Sequence, residues 1–329
     1  MVFILAKGRS GTTLLQMILN AHPNVIAPLE SPFLIYLKSR YAKVSNWSPA
    51  TLEQFVSDLY TDRRFRLFWG VDRHALIERL KEAAPQHFQQ VCEQVYLASN
   101  TQKEKEVSCI IDKNPVYSIF TRELIALYPK AQFVHMIRDP RASTLSHKNA
   151  FHAKSVSYLT HKWLDHNLAI EALKKRVPDQ FHTIRYEDLV ASPEDEIRAL
   201  CKFLSLSFHP AMLEHQQTTS KLKHQQPGYF RLHHTNVLKP LNNSLLNKWK
   251  TELSKTEIQT IEYIGGSYSS SMGYTKTEAA TSGTLKWKIA FYRFAFFKQM
   301  LRWFYLGPLF FRKYFFIAVA FFFDKKYKT

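Results

Sequence analysis

Cysteine is scarce in this sequence: 3 among 329 residues, Cys92, Cys109 and Cys201, too few and too scattered for a disulfide framework. No CxxC or Cys/His cluster has zinc-site spacing and no paired carboxylates offer another metal site, so a reducing compartment is expected. No secretory signal is expected either, because only the apolar residues Val2 to Ala6 separate Met1 from a glycine loop. The longest uninterrupted apolar run of the C-terminal tail, Tyr314 to Phe323, is about half of what a spanning helix needs. No internal repeat is visible. Acidic residues are outnumbered, 27 Asp+Glu against 45 Lys+Arg, for a net charge of +18. The imbalance is local: residues 285–329 carry ten Lys/Arg and one Asp, +9, half the total. What is plentiful is hydrophobic residue, 46% of the chain, which excludes disorder and allows one large α/β domain with added segments, or two smaller domains.

The stretch FILAKGRSGTTLL, Phe3 to Leu15, reads as a buried strand, a tight turn and an amphipathic helix. Glycines at 8 and 11 let backbone N–H groups converge, and the helix N-terminus adds partial positive charge, so the turn suits an anion. Lys7 and Arg9 add full charges; Ser10, Thr12 and Thr13 add hydroxyl donors. A Walker A loop needs four residues between its glycines and a lysine after the second. Here there are two, and Thr12 stands at the lysine position, which disfavours an ordinary NTPase. The plainer alternative is a turn whose hydroxyls cap a helix.

AQFVHMIRDPRASTLSHKNA, Ala131 to Ala150, repeats this logic: a short strand through Ile137, a stop at Arg138-Asp139-Pro140, then a helix opened by Pro140. Arg138 at the strand end and Ser146 in the helix would face one phosphate at the carboxyl edge of a parallel sheet. The alternative is Arg138 paired with Asp139 or another surface acid. Two anion cradles after two strands suit a nucleotide with phosphate-like groups at both ends. Further strands are expected at 107–113 and 181–185, alternating with helices at 121–128, 159–176 and 193–203, which predicts a mostly parallel α/β sheet covered by helices on both faces.

These residues resemble the sulfotransferases that use 3'-phosphoadenosine 5'-phosphosulfate. Arg9 to Leu14 is similar to their 5'-phosphosulfate loop, and Arg138 with Ser146 to their 3'-phosphate pair. The segments LNAHPNVIAPLES, IIDKNPVYSI, IRYEDLVASPEDEIRALCKFLSL and LKPLNNSLLNKWK resemble landmarks of the tyrosylprotein, Golgi-type branch, over roughly residues 2 to 265. The resemblance implies a P-loop NTPase-like fold. It implies that Lys7, Gly8, Arg9, Ser10, Gly11, Thr12 and Thr13 hold the 5'-phosphosulfate, and Arg138 and Ser146 the 3'-phosphate. Tyr186 falls where the family contacts adenine, Glu30 where this branch keeps its base, and Lys113 where it keeps a sulfuryl-contacting lysine. The 112–115 segment lacks the histidine base of cytosolic members, and Asn247 replaces a serine near the sulfonate.

The implied function is sulfuryl transfer to a hydroxyl on a glycan, lipid or other membrane-proximal acceptor, with Glu30, Arg9 and Lys113 catalytic and no metal required. Apolar neighbours Val25, Ile26, Leu29, Phe33 and Leu34 are expected to raise the basicity of Glu30; the alternative is a surface Glu before a helix that starts at Ser31-Pro32. His22, His135 and His147 are rival bases. Residues 37–106 are expected as a helical insertion, a lid or extra packing. Residues 213–234 are expected as a mobile loop, and 266–284 as a linker after a domain ending at 265.

The tail 285–329 holds 12 of the 25 phenylalanines among its basic residues, as an interfacial segment on an anionic membrane would. Its alternative is a helical hairpin packed on the enzyme or on a second subunit of a homodimer. Nucleic acid is a poor partner for so apolar an arm. The expected location is the cytoplasmic face of a membrane, or the Golgi lumen if an N-terminal anchor is missing. Two other functions remain on the table: a P-loop-type small-molecule kinase, which requires ATP and magnesium, and a non-catalytic membrane-binding protein.

Overall fold

Val2–Leu5 forms strand β1 with all of its residues buried, as a strand covered on both faces requires. The computed structural model describes residues 1–99, 106–151, 155–225, 235–238 and 246–277, so the expectations for the tail 285–329 lie outside the described residues. Strands β2 (Val25–Ile26), β3 (Cys109–Lys113), β4 (Gln132–Ile137) and β5 (Phe181–Arg185) complete one sheet in the order β2-β3-β1-β4-β5, with every pair parallel. The alternation of side chains along each strand divides the core in two. Phe3, Leu5, Phe133 and Phe181 pack into one cluster, while Val2, Ile4, Val134, Met136 and Ile184 pack into another on the opposite face.

Helix α1 (Thr12–Asn20) follows β1, and α2 (Phe33–Tyr41), α3 (Pro49–Leu59), α4 (Arg63–Phe68), α5 (Arg73–Ala83) and α6 (Phe88–Ala98) lie between β2 and β3. These helices pack on the Phe3 face through residues such as Phe55, Trp69 and Tyr96. Helix α7 (Thr121–Leu127) precedes β4; α8 (Pro140–Phe151) and α9 (Val156–Lys174) follow it; α10 (Tyr186–Ala191) and α11 (Pro193–Phe203) follow β5. The chain runs outward from β1 to β2, returns through β3, and crosses β1 to reach β4. The sheet therefore reverses direction beside β1, and a crevice opens where the carboxyl ends of β1 and β4 meet.

Two expectations give way. The 213–234 segment is not a loop at its start: His215–Gln225 forms helix α12, packed on α1. Its inward positions include the fully buried His215 and Thr219, spaced one helical turn apart, so its buried stripe is polar and leaves no apolar periodicity to read. The domain also runs past 265. Lys255–Ser271 is one helix kinked at Gly266, and Tyr274 is buried with its hydroxyl 3.0 Å from Glu187 Oε2. Gly266, where the expected linker would begin, is the kink itself. Among the described residues no helix is long and apolar enough to cross a membrane.

Candidate active site

The turn after β1 has the backbone that its glycines announced. Gly11 is the N-cap of α1 with φ 93°, and no side chain caps the helix, so the hydroxyls of Ser10, Thr12 and Thr13 do not act as caps and leave the first N–H groups of the helix for an anion. Arg9 also has a left-handed φ, 74°, the kind of local strain that a surrounding site must hold in place. A Cβ on Gly11 would lie 2.3 Å from Tyr186 Cδ2. Gly11→Ala therefore combines a strained φ with a ring clash, and is expected to cost about 2–4 kcal/mol, read as a fall in melting temperature together with weaker anion binding.

Register places the second cradle beside the first. Leu5 of β1 pairs with His135 of β4, so Lys7-Gly8 and Arg138 leave neighbouring strand ends at the same level. Arg138 is 9% exposed. Its neighbour Asp139 does not pair with it: the Asp139 carboxylate is taken by Arg141 at 2.7 Å, and Arg141 also donates to Glu262 at 2.6 Å. The guanidinium of Arg138 lies instead 4.2 Å from the ring centroid of Tyr186, and its Nε is buried without a hydrogen-bond partner among the described residues. Ser146 accepts a hydrogen bond from Arg9 Nε at 3.2 Å, and Ser143 accepts one from Lys7 Nζ at 3.3 Å. The two cradles are thus joined by hydrogen bonds from Lys7 and Arg9 to α8, and their cations form one basic cluster.

Charge in this pocket is unusually one-sided. Burial lowers the Lys7 ammonium well below its ordinary range, and the charges of Lys162, Arg9 and Arg138 lower it further. Arg9 is lowered by burial and by Arg138, with Glu30 opposing. His147 is brought down to about 2 by burial and by Lys7, Lys162 and Arg9, so it is neutral and an unsuitable base in this setting. Lys162 on α9 was not singled out in the sequence; nothing marks it there, because it reaches the pocket only through the packing of α9 against α8.

This imbalance has a testable consequence. A lysine with a lowered folded-state pKa destabilises the fold fully below that pKa, and the penalty fades as pH rises towards 10.5, the unfolded value. Lys7→Met is expected to raise the melting temperature of the free protein at low pH, with the gain shrinking on the way to pH 10.5. The same variant should show a smaller thermal shift on adding an anionic ligand.

The third group closes the mouth of the turn. Lys113, at the end of β3, is fully buried; its ammonium is hydrogen-bonded to Glu30 Oε1 and lies 3.2 Å from Thr13 Oγ1. A cation therefore does reach the turn, but from a different strand than a Walker lysine. Burial lowers the Lys113 pKa and Glu30 partly restores it. The other Glu30 oxygen accepts from Arg64 Nη1 at 3.0 Å. The expectation of an apolar setting for Glu30 is corrected here: Leu29 and Phe33 turn into the core, while Glu30 is paired with two cations.

Helix α4 and its flanks grip this segment. Trp69 Nε1 donates to Leu29 O at 2.8 Å, Arg64 binds Glu30, and Ser31 Oγ donates to Asp62 Oδ2 at 2.8 Å. Behind Lys113, Asp112 points the other way into the core. Its pKa is raised by burial to about 7, against hydrogen bonds from Tyr96 and Asn114.

The remaining candidates sit elsewhere. His22 Nδ1 accepts from Asn24 N at 3.1 Å, which leaves Nε2–H to donate to Ser207 O at 2.9 Å. His135 is fully buried, with Nε2 2.9 Å from Asn167 Oδ1. Both are structural. Asn247 is exposed, and no hydrogen bond joins its side chain to the pocket among the described residues.

Residues 2–210 match the model of the sulfotransferase family. The chain is 26% identical over 262 residues to protein-tyrosine sulfotransferase of Drosophila melanogaster, covering 76% of this chain and 46% of that protein. It is likewise 26% identical over 262 residues to protein-tyrosine sulfotransferase 1 of Danio rerio, covering 76% of this chain and 65% of the relative. The chain thus spans less than two thirds of either protein. The fold is similar to that of the sulfotransferase domain of the curacin biosynthetic pathway, with TM-score 0.59 and 22% identity over 84% of this chain and 98% of that one.

Proposed function

The chain belongs to the sulfotransferase family, and from that premise we propose that it transfers a sulfuryl group from 3'-phosphoadenosine 5'-phosphosulfate to a hydroxyl acceptor. The observation that carries this reading is the pairing of cations at neighbouring strand ends. Among the described residues, Arg138 keeps a buried Nε without a partner while the adjacent acid is committed to Arg141, so the site holds positive charge in excess of its carboxylates. A nucleotide phosphorylated on its 3'-oxygen and charged at its 5'-end supplies the missing negative charge at both places. Arg138 and Ser146 take the 3'-phosphate. Lys7, Gly8, Arg9, Ser10, Gly11, Thr12 and Thr13 frame the 5'-phosphosulfate, with the α1 N-terminus behind it.

In the reaction the acceptor oxygen attacks sulfur, the bond from sulfur to the bridging oxygen of the 5'-phosphate breaks, and its electron pair leaves on that phosphate. The acceptor proton goes to Glu30. Lys113 lies between Glu30 and Thr13, so as charge builds on the sulfuryl oxygens its ammonium can exchange the carboxylate for them, which frees Glu30 Oε1 to receive the proton. Arg64 holds the second carboxylate oxygen and keeps it aimed.

The names of the relatives make a tyrosine hydroxyl one acceptor to try. The basic, phenylalanine-rich segment 285–329 supports attachment to an anionic membrane surface, cytoplasmic in this reading, and hence glycan, lipid or other membrane-proximal acceptors. The deciding experiment is calorimetric titration of the whole protein with adenosine 3',5'-bisphosphate and with ATP plus magnesium. Binding of the bisphosphate well ahead of ATP is expected. No binding of the bisphosphate, or tighter binding of Mg-ATP, would overturn the reading in favour of a kinase or a non-catalytic role.

A further inference from the structure

Tyr186 sits in the pocket in an unexpected way. The register of β4 with β5 pairs Ile137 with Arg185, so Arg138 and Tyr186 are the next residues out on adjacent strands. The ring is 8% exposed. Its Cδ2–Cε2 edge abuts Gly11, so closely that a Cβ there would sit 2.3 Å from Cδ2, and the Arg138 guanidinium lies 4.2 Å from the ring centroid. The hydroxyl makes no hydrogen bond among the described residues. A ring this enclosed has little face left for stacking on a base.

We infer that Tyr186 is a positioning residue that acts through Arg138: its ring, wedged against Gly11, is the shelf that holds the guanidinium at the 3'-phosphate position. This rests on the proposed donor. The backbone of Arg138 is anchored separately, since its carbonyl accepts from Trp163 Nε1 at 3.0 Å. What that anchor leaves undetermined is the long side chain, with its rotatable bonds, a buried Nε without a partner and no ion pair among the described residues. A guanidinium over an aromatic face in a desolvated pocket gains both attraction and a defined plane, and loses less freedom when a phosphate arrives. Gly11 is thus needed twice, for its own left-handed turn and for the space that the ring fills.

The readout is the 3'-phosphate increment, the ratio of the dissociation constant for adenosine 5'-phosphate to that for adenosine 3',5'-bisphosphate, measured calorimetrically on the whole protein. Taking the ratio cancels any loss that a looser 5' loop imposes on both ligands. Tyr186→Phe is expected to keep the increment, and Tyr186→Leu to lower it by about tenfold. In Arg138→Ala the increment should already be small, and adding Tyr186→Leu should lower it no further. Tyr186→Met, unbranched and closer in volume, replaces the Leu variant if that one fails to melt cooperatively.

An unchanged increment in Tyr186→Leu, or additive losses in the double variant, would overturn the inference and return Tyr186 to a direct ligand contact or to packing. A wild type that binds the two nucleotides equally would instead overturn the donor assignment itself, so the two failures are distinguishable.

Discussion

Glu30→Gln is expected to lower kcat by roughly 10²–10⁴, the range lost with a general base, while changing the affinity for adenosine 3',5'-bisphosphate by no more than about twofold. The amide keeps the shape of the carboxylate but cannot take the acceptor proton. Transfer of a radiolabelled sulfuryl group, to whichever member of a tyrosyl-peptide, glycan and lipid panel the wild type modifies, measures the first quantity. Calorimetry measures the second. Stability should move as well, because Lys113 is fully buried and loses its counter-charge, and breaking a buried pair from one side costs about 3–5 kcal/mol. Part of that cost is relieved by deprotonation of Lys113, whose pKa is already lowered by burial. Adding Lys113→Met removes the stranded charge, so the double variant should regain melting temperature without regaining turnover. Recovery of activity in the double variant, or full activity in Glu30→Gln, would remove Glu30 from the mechanism.

Much of the frame that holds these groups is legible before folding. Strands β1, β3 and β4 are short, largely apolar runs ended by glycine, proline or charge, β5 is the mixed run FHTIR, and each precedes a helical pattern. β2 is not legible, because Val25–Ile26 is only as long as its pairing with Cys109 and Ile110 and carries no periodicity. α12 hides for a different reason: buried His215 and Thr219 read as polar.

At the site the residue types and their order are readable, but the partners are not. The sequence neighbours Arg138 and Asp139 diverge at the strand end, where the carboxylate turns back to Arg141, two residues on. Glu30 has apolar sequence neighbours and charged spatial ones, since Lys113 comes from β3 and Arg64 from the insertion. Lys162 and Ser143 enter only through the packing of helices onto the end of β1. Interactions between residues distant in the chain depend on register and packing, which a one-dimensional pattern constrains weakly.

Arg138→Ala should weaken binding of adenosine 3',5'-bisphosphate by about 2–5 kcal/mol, roughly 30- to 5000-fold, the cost of truncating one partner of a buried charged hydrogen bond. Affinity for adenosine 5'-phosphate should change far less, because Lys7, Arg9 and the α1 N-terminus remain. The free protein should tolerate the change. Arg138 makes no ion pair among the described residues, its charge works against Lys7 and Arg9, and the carbonyl held by Trp163 is untouched. Loss of repulsion then offsets the lost contact with the Tyr186 ring, and the melting temperature without ligand should stay within about 4 °C of wild type, the shift of roughly one kcal/mol in a domain of this size.

The thermal shift produced by saturating bisphosphate is where the two proteins part. At a ligand concentration near 1,000 times the wild-type dissociation constant the wild type gains about 4 kcal/mol, and a variant binding a thousandfold more weakly gains about 0.4 kcal/mol. An Arg138→Ala protein that melts normally and still shows the full shift would mean that the second anion cradle does not hold a phosphate. The one-sided charge of the pocket would then need another counterpart.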